Sequence, residues 1–198
     1  MKIVFATGNR NKLREAQGIL GPDYELSTPA DMGITEEIPE TGETLDENSL
    51  QKARYVYDHA DRADCFADDT GLEVEALGGA PGVYSARYAG EGHDNEANMA
   101  KLLGELSKLG EGVPRKARFR CVVTLILDGT LHQFEGVLNG RIALERSGKG
   151  GFGYDPIFIP DIYPDRTLAD LSAEEKNAIS HRGRAMRQMA AWLAENNR

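Results

Sequence analysis

The first twenty residues place a buried strand, a polar glycine turn and a helix in immediate succession. The apolar run from Lys2 to Ala6 predicts the strand, and Thr7-Gly8-Asn9 follows it as a turn. Apolar residues then recur at helical spacing from about Asn11 to Leu20, where Gly21-Pro22 ends the helix. This order is typical of α/β folds, and it directs helical N–H groups towards whatever lies in the turn.

Three further helices have start signals in the sequence. Thr44 with Glu47 forms a capping-box pattern before a helix that should run to about His59. Asp94 is placed to cap a helix to about Leu106. Ser172 with Glu175 repeats the capping box, and a last amphipathic helix is predicted from about His181 to Glu195.

The predicted strands complete a mixed sheet. Cys65-Phe66-Ala67 reads as a short buried strand that delivers Asp68-Asp69-Thr70-Gly71 at its end. Arg118 to Leu127 and Thr130 to Leu138 alternate around Asp128-Gly129, which indicates a hairpin. Shorter strands are predicted at Arg141 to Glu145 and at Ile157 to Ile159. Helices flanking long antiparallel strands indicate a mixed-sheet α/β protein.

Length and charge exclude several classes. The 198 residues suffice for one domain or two fused lobes. A net charge of −9 argues against a nucleic-acid partner, which usually demands a basic surface. No apolar run approaches the roughly 18 residues that span a bilayer, and the opening strand is too short for a signal peptide. We therefore expect a cytoplasmic protein with no membrane partner, and buried free thiols at Cys65 and Cys121.

The turn after the first strand is the first candidate binding site. Its backbone N–H groups, two polar side chains and an ammonium could hold a polyphosphate. A turn whose Asn9 or Asn11 only caps the helix explains the same residues. The spacing is not that of a Walker A loop. The candidate residues are Thr7, Gly8, Asn9, Arg10, Asn11 and Lys12.

Asp68-Asp69-Thr70-Gly71 is the most informative stretch. Two adjacent carboxylates after an apolar strand are costly unless they are hydrogen-bonded or bind metal. Alternation points Asp68 and Asp69 in opposite directions, so one could face a site while the other braces the loop. A solvated acidic turn is the alternative. The Asp-Thr-Gly sequence also occurs in aspartic proteases, which need two copies in an almost all-β chain. This helix-rich chain has one copy, so a dimer would have to supply the second.

Glu40 lies in an acidic loop from which it could join Asp69 as an oxygen ligand. Magnesium suits such a site because it prefers a few carboxylates, waters and substrate phosphates. Lys52, on the helix that begins after Thr44, is a further candidate for contact with phosphate. A solvated loop and a surface lysine are the alternatives.

Two later segments could recognise a base. Phe152 lies between glycines in Gly151-Phe152-Gly153-Tyr154-Asp155-Pro156, which favours an exposed ring for stacking, with Asp155 as a nearby acceptor. Core packing is the commoner fate of such aromatics. His181-Arg182 opens the final helix and suits an anion or a carbonyl, and Lys176 adds a donor.

Taken in order, these segments resemble the inosine triphosphate pyrophosphatase family almost end to end. The stretches that carry the resemblance are Thr7 to Lys12, Pro39-Glu40-Thr41-Gly42, Glu47-Asn48 with Lys52-Ala53, Ala67-Asp68-Asp69-Thr70-Gly71-Leu72, Leu77 to Arg87, Gly151 to Pro156, and Glu175-Lys176 through Ser180-His181-Arg182-Gly183. Thr70 occupies a position that is often serine in the family.

The resemblance implies a single domain over residues 1–198, with two fused lobes, a long curved mixed sheet flanked by helices, a cleft between the lobes, and a homodimer. It implies Glu40 and Asp69 as Mg²⁺ ligands, with Asp69 also activating water and Asp68 in support. The resemblance further implies that the nucleotide is contacted by Thr7–Lys12, Lys52, Thr70 and Lys176. It implies that the base is recognised by Phe152, Gly153, Tyr154, Asp155, His181 and Arg182.

The activity that follows is Mg²⁺-dependent hydrolysis of non-standard purine nucleoside triphosphates (ITP, dITP, XTP) to a nucleoside monophosphate and pyrophosphate. A kinase or an unrelated pyrophosphatase would share the phosphate-binding parts and yield other products. A non-catalytic nucleotide sensor is the alternative outside enzymes. The carboxylates and lysines together favour an enzyme.

Overall fold

The computed structural model describes residues 1–196. Its strands are β1 (Lys2–Phe5), β2 (Glu25–Ser27), β3 (Cys65–Val74), β4 (Pro81–Gly82), β5 (Lys116–Leu127), β6 (Thr130–Ile142) and β7 (Phe158–Pro160). Its helices are α1 (Arg10–Leu20), α2 (Leu45–His59), α3 (Asn95–Lys108), α4 (Ala173–Ile179) and α5 (His181–Asn196). Within these residues no helix is both long enough and apolar enough to cross a membrane.

The strands form one mixed sheet in the order β2-β1-β3-β5-β6-β7, with β4 paired to β3. Strand β1 is parallel to both of its neighbours, β2 and β3. The β3–β4 and β6–β7 pairs are antiparallel. A mixed sheet accompanied by five helices confirms the predicted α/β class.

The chain divides into two compact units. The first holds residues 1–69, 121–136 and 181 onward, and the second holds 70–120 and 137–180. The prediction of a single domain over 1–198 stays a prediction, and its last two residues lie outside the described residues.

In the first unit the sheet is covered on both faces. Ile3 and Phe5 of β1 join an apolar cluster with residues of α1 and α5, whereas Val4 and Ala6 join a second cluster with residues of α2. This division follows the twofold alternation of a strand. Because both faces are buried, β1 reads as a continuous apolar run rather than an alternating one.

The second unit has its own apolar cluster. Leu102 and Leu106 of α3 pack there with Phe119 of β5 and Phe158 of β7. The rings of Phe119 and Phe158 lie 4.7 Å apart between centroids.

The local start and turn signals are confirmed. Thr44 and Glu47 form a capping box at α2, Ser172 and Glu175 form one at α4, and Asp94 caps α3. Asp128 and Gly129 both have positive φ (49° and 75°), as a tight hairpin turn between β5 and β6 requires. Cys65 and Cys121 are buried, as predicted, and burial raises the pKa of Cys65 to about 12.

Two predicted strand boundaries are wrong. Strand β3 continues to Val74, so Asp68 to Gly71 lie inside the strand and not after it. Strand β6 runs to Ile142 and absorbs the start of the separate strand predicted at Arg141. Both errors arose because polar residues or glycine are typical of the ends of strands. In the structure the backbone of these residues continues the strand, because it pairs with neighbouring strands. The short strand β2 was not predicted.

Gly136 of β6 allows α5 to begin against the backbone of the sheet. A Cβ atom at this position would lie 2.0 Å from the carbonyl oxygen of His181 and 2.6 Å from the backbone nitrogen of Ala185. Neither backbone atom can move without displacing the first turn of α5, which carries Arg182.

We therefore expect Gly136→Ala to lower the free energy of unfolding by about 1–3 kcal/mol or more, as overpacking of a dense core does. Urea unfolding followed by circular dichroism measures this. Gly104→Ala in α3 is the control, because a Cβ there meets no atom within 4 Å. That variant should unfold at the same or a higher urea concentration, and equal behaviour of the two variants would contradict the packing of α5 described above.

Candidate functional site

Asp68 and Asp69 are adjacent in β3 and bond to different cations on opposite faces of the sheet. Asp68 is 2% exposed. The ammonium of Lys12 lies 3.1 Å from each of its carboxylate oxygens, and Nε of Arg182 lies 2.9 Å from Oδ2. Burial alone would raise the pKa of Asp68, but the charges of Lys12 and Arg182 outweigh it and hold that pKa well below its usual range. Asp68 is therefore an ionised anchor for two cations.

The turn before α1 delivers Lys12 to this anchor. Oδ1 of Asn9 accepts hydrogen bonds from the backbone N–H groups of Asn11 (2.9 Å) and Lys12 (3.3 Å), so Asn9 is the N-cap of α1. Oγ1 of Thr7 accepts from the N–H of Asn9 at 3.1 Å. The capping role considered from the sequence is thus present, and Gly8 has open space beside it.

Arg182 has a second carboxylate partner that the sequence analysis missed. Glu15 of α1 lies 3.5 Å from the Nη1 atom of Arg182. Glu15 is three residues after Lys12, so the two side chains share a face of the helix. The three-residue spacing of Lys12 and Glu15 on a predicted helix was the sequence signal that could have identified Glu15. Burial opposes the charge of Arg182, but Asp68 and Glu15 outweigh it and raise the pKa of the guanidinium.

Asp69 faces Lys52 of α2. The ammonium of Lys52 lies 2.8 Å from Oε1 of Glu40 and 3.1 Å from Oδ1 of Asp69. Burial lowers the pKa of Lys52, but the carboxylates of Asp69, Asp68 and Glu40 outweigh it, and the pKa lies above its ordinary value. For Asp69 the balance is the reverse, because burial raises its pKa more than Lys52 lowers it.

Glu40 and Asp69 fit the donor set that magnesium prefers. They share one ammonium, so their oxygens lie close together, and Oδ2 of Asp69 is buried with no partner within residues 1–196. A buried carboxylate oxygen without a donor is costly, and a divalent cation would satisfy it. Within the same residues no third His, Cys, Asp or Glu makes a three-ligand cluster. Waters and phosphate oxygens would supply the other positions, as is common for magnesium.

The second unit contains a loop built around the buried carboxylate of Asp155. Oδ2 of Asp155 accepts from the backbone N–H of Phe152 (2.8 Å) and from the ammonium of Lys176. A Cβ on Gly151 would lie 2.0 Å from that oxygen, and the φ of this glycine is +70°. Only glycine therefore lets the loop wrap the carboxylate.

This loop exposes one aromatic ring and buries the other. Phe152 is 69% exposed, and the ammonium of Lys176 lies 5.7 Å from the centroid of its ring. Tyr154 is buried and donates its hydroxyl to the carbonyl oxygen of Ser85 at 2.8 Å. Gly153, between them, has a φ of +62°. The exposed ring offers a stacking surface with a cation beside it. Thr70, also in this unit, has a buried hydroxyl without a partner within residues 1–196.

Comparison with known proteins identifies relatives over almost the whole chain. The sequence model of the Ham1 family matches residues 3–192. A protein of Christiangramia forsetii named dITP/XTP pyrophosphatase is 48% identical over 98% of this chain and 100% of its own length. A protein of the same name from Porphyromonas gingivalis is 50% identical over 97% of each chain. The solved structure of the Staphylococcus aureus Ham1 protein has a TM-score of 0.90 at 40% identity, covering 98% of this chain and 99% of that one.

Removal of Asp68 should destabilise the first unit strongly. Asp68→Ala would leave Lys12 and Arg182 without their buried partner, which typically costs about 3–5 kcal/mol of unfolding free energy. Because the pKa of Asp68 is depressed in the folded protein, its contribution is present above pH ~4 and is lost as the pH falls further. Chemical unfolding at neutral pH measures the loss.

Glu73→Ala provides the matched control on the same strand. Glu73 pairs with the half-exposed Arg118 at 2.6 Å, and such partly exposed pairs contribute about 1 kcal/mol or less. An Asp68→Ala variant as stable as Glu73→Ala would show that Asp68 is not an anchor.

Proposed function

The chain belongs to the Ham1 family, and from that premise we propose that it hydrolyses non-standard purine nucleoside triphosphates such as ITP, dITP and XTP. The products are the nucleoside monophosphate and pyrophosphate. The chain is accordingly a nucleoside triphosphate pyrophosphatase, which removes such nucleotides from the nucleotide pool. Relatives named dITP/XTP pyrophosphatase are 48% and 50% identical to this chain over 98% and 97% of its length.

The observation that carries the mechanism is the arrangement of Lys52 between Glu40 and Asp69. Two carboxylates around one ammonium, with one buried carboxylate oxygen still unmatched within residues 1–196, can hold a divalent cation and a phosphate together. We assign Mg²⁺ to Glu40 and Asp69. The proposed phosphate contacts are Lys52, Thr70 and the turn residues Thr7, Gly8, Asn9, Arg10, Asn11 and Lys12.

The reaction is attack of water on the α-phosphorus. A bond forms from the water oxygen to phosphorus, the bond from phosphorus to the bridging oxygen breaks, and pyrophosphate leaves with that electron pair. Magnesium, when bound, neutralises phosphate charge and polarises a water molecule. Asp69 takes a proton from the attacking water. Lys52 stabilises the charge that builds on the phosphate oxygens.

Base recognition is assigned to donors and to a stacking ring. Hypoxanthine and xanthine present an oxygen acceptor at position 6, where adenine presents an amino donor. A donor from Lys176, His181 or Arg182 would pair with the oxygen and leave the amino group of adenine unmatched. Guanine shares the oxygen at position 6, so its exclusion requires a separate contact that rejects its 2-amino group. Phe152 offers its exposed face to the base, while Asp155, Gly153 and Tyr154 hold the loop that carries it.

We also propose that the protein is a cytoplasmic homodimer. The homodimer follows from the family resemblance, and the cytoplasmic location is the expectation drawn above from the sequence. Light scattering coupled to size-exclusion chromatography tests the dimer, and a mass of one chain at micromolar concentration would refute it.

The activity is tested by pyrophosphate release from inosine, xanthosine, guanosine and adenosine triphosphates at matched concentration with magnesium. We expect fast release from the first two, little from the last two, and none with EDTA. Orthophosphate as the product would contradict attack at the α-phosphorus. Binding without any product would assign the chain to the non-catalytic nucleotide sensors.

Asp69→Asn should lower kcat for ITP by at least a hundredfold, since the amide cannot accept the proton and is a poor magnesium ligand. Burial already disfavours the charge of Asp69, so the variant should fold, which circular dichroism checks. Asp23→Asn, at an exposed position, is the control and should keep full activity. Wild-type turnover by Asp69→Asn would refute the assigned role.

A further inference from the structure

Three side chains on one face of α2 bind three consecutive residues of the loop before it. Oδ1 of Asn48 accepts from the backbone N–H of Gly42 at 2.7 Å. Gln51 bonds twice to Thr41: its Oε1 accepts from the backbone N–H at 2.8 Å, and its Nε2 donates to the hydroxyl at 2.9 Å. Lys52 binds Glu40 at 2.8 Å. Residues 48, 51 and 52 share a helix face, so the loop over residues 40–42 lies along it.

The orientation of the Asn48 amide is fixed by this contact. Asn48 is fully buried, and its Nδ2 has no partner within residues 1–196. Reversing the amide would place an NH₂ group against the N–H of Gly42. The observed orientation keeps the loop contact and leaves a buried donor unmatched within residues 1–196, which is unfavourable. The contribution of Asn48 to folding stability therefore does not by itself explain an asparagine at this position.

The loop also approaches α2 too closely for any side chain at residue 42. A Cβ on Gly42 would lie 2.7 Å from Cβ of Glu47 and 2.9 Å from Oδ1 of Asn48. The φ of Gly42 is not in the left-handed region, so space and not backbone strain demands glycine here.

Helix α2 is itself fixed to the strand that carries Asp69. The buried hydroxyl of Ser49 donates to the carbonyl oxygen of Ala67 at 3.1 Å and lies 2.8 Å from Oγ1 of Thr124. Ala67 is two residues before Asp69. Hydrogen bonds thus connect the backbone of β3 to α2, and α2 to the loop over residues 40–42 that contains Glu40.

We infer that Asn48 and Gln51 are positioning residues that hold Glu40 beside Lys52, where it can share a divalent cation with Asp69. The inference rests on the proposed cation site. A tether of this kind does not touch the cation, but it reduces the freedom that Glu40 would lose when the cation binds. Removal of groups that orient metal ligands typically weakens metal binding by about 10–100-fold.

The test is binding of Mn²⁺ alone to the purified full-length chain, measured from the resonance of free Mn²⁺ in electron paramagnetic resonance. We expect Asn48→Ala, Gln51→Ala and Gly42→Ala each to raise the Kd for Mn²⁺ about tenfold or more. Gln188→Ala is the matched control, because it removes the hydrogen bond that the side chain of Gln188 in α5 donates to the carbonyl oxygen of Glu135 in β6. Gly104→Ala controls for the glycine substitution. Both should bind Mn²⁺ like the wild type.

The magnesium dependence of ITP hydrolysis provides a second test of the positioning role. In Asn48→Ala, Gln51→Ala and Gly42→Ala the magnesium concentration that gives half-maximal ITP hydrolysis should rise about tenfold, while kcat at saturating magnesium recovers most of the wild-type value. A general loss of folding would lower kcat at every magnesium concentration instead. Should Asn48→Ala fail to fold, Gln51→Ala decides, since Gln51 is only partly buried.

Glu40→Gln separates the two claims. If Glu40→Gln weakens Mn²⁺ binding and Gln51→Ala and Gly42→Ala do not, the positioning role is refuted and the proposed function stands. If Glu40→Gln binds Mn²⁺ like the wild type, the cation site itself is refuted, and the positioning role with it.

Discussion

The first unit depends on how two neighbouring carboxylates of a buried strand are neutralised. Asp68 and Asp69 are adjacent in β3, so alternation sends them to opposite faces of the sheet. An unpaired buried carboxylate costs several kcal/mol, and cations must therefore reach both faces. Lys12 of α1 and Arg182 of α5 reach one face, and Lys52 of α2 reaches the other. The positions of three helices are thus coupled to two side chains of one strand.

The two carboxylates differ in how completely they are satisfied. Both oxygens of Asp68 accept hydrogen bonds, and neighbouring cations lower its pKa. Asp69 has one oxygen on Lys52, while the other is buried without a partner within residues 1–196, and burial raises its pKa. Environments that push the pKa values of a carboxylate pair apart suit different roles. Asp68 holds the side chains of Lys12 and Arg182 in place. Asp69 keeps one carboxylate oxygen that can bind a metal ion or accept a proton.

Features set by a few neighbouring residues were predictable from the sequence. The capping box of Thr44 with Glu47 and the hairpin at Asp128-Gly129 depend only on local geometry. The partners of the charged residues were not predictable in this way: Arg182 binds a carboxylate 114 positions earlier in the chain, and only the folded sheet brings them together. Family resemblance supplied the candidate site residues without their contacts. The contacts of Asn48 and Gln51 with the loop over residues 40–42 were not predicted, because an amide on a helix carries no sequence pattern that distinguishes a loop contact from a core or surface residue.

The central claim is that water attacks the α-phosphorus of a purine nucleoside triphosphate. Hydrolysis of ITP in water enriched in heavy oxygen, followed by phosphorus NMR of the products, locates the new bond directly. An isotope shift on the phosphorus of inosine monophosphate, with unlabelled pyrophosphate, is the predicted result. A shift on pyrophosphate would mean attack at the β-phosphorus and would contradict the mechanism assigned to Asp69 and Lys52.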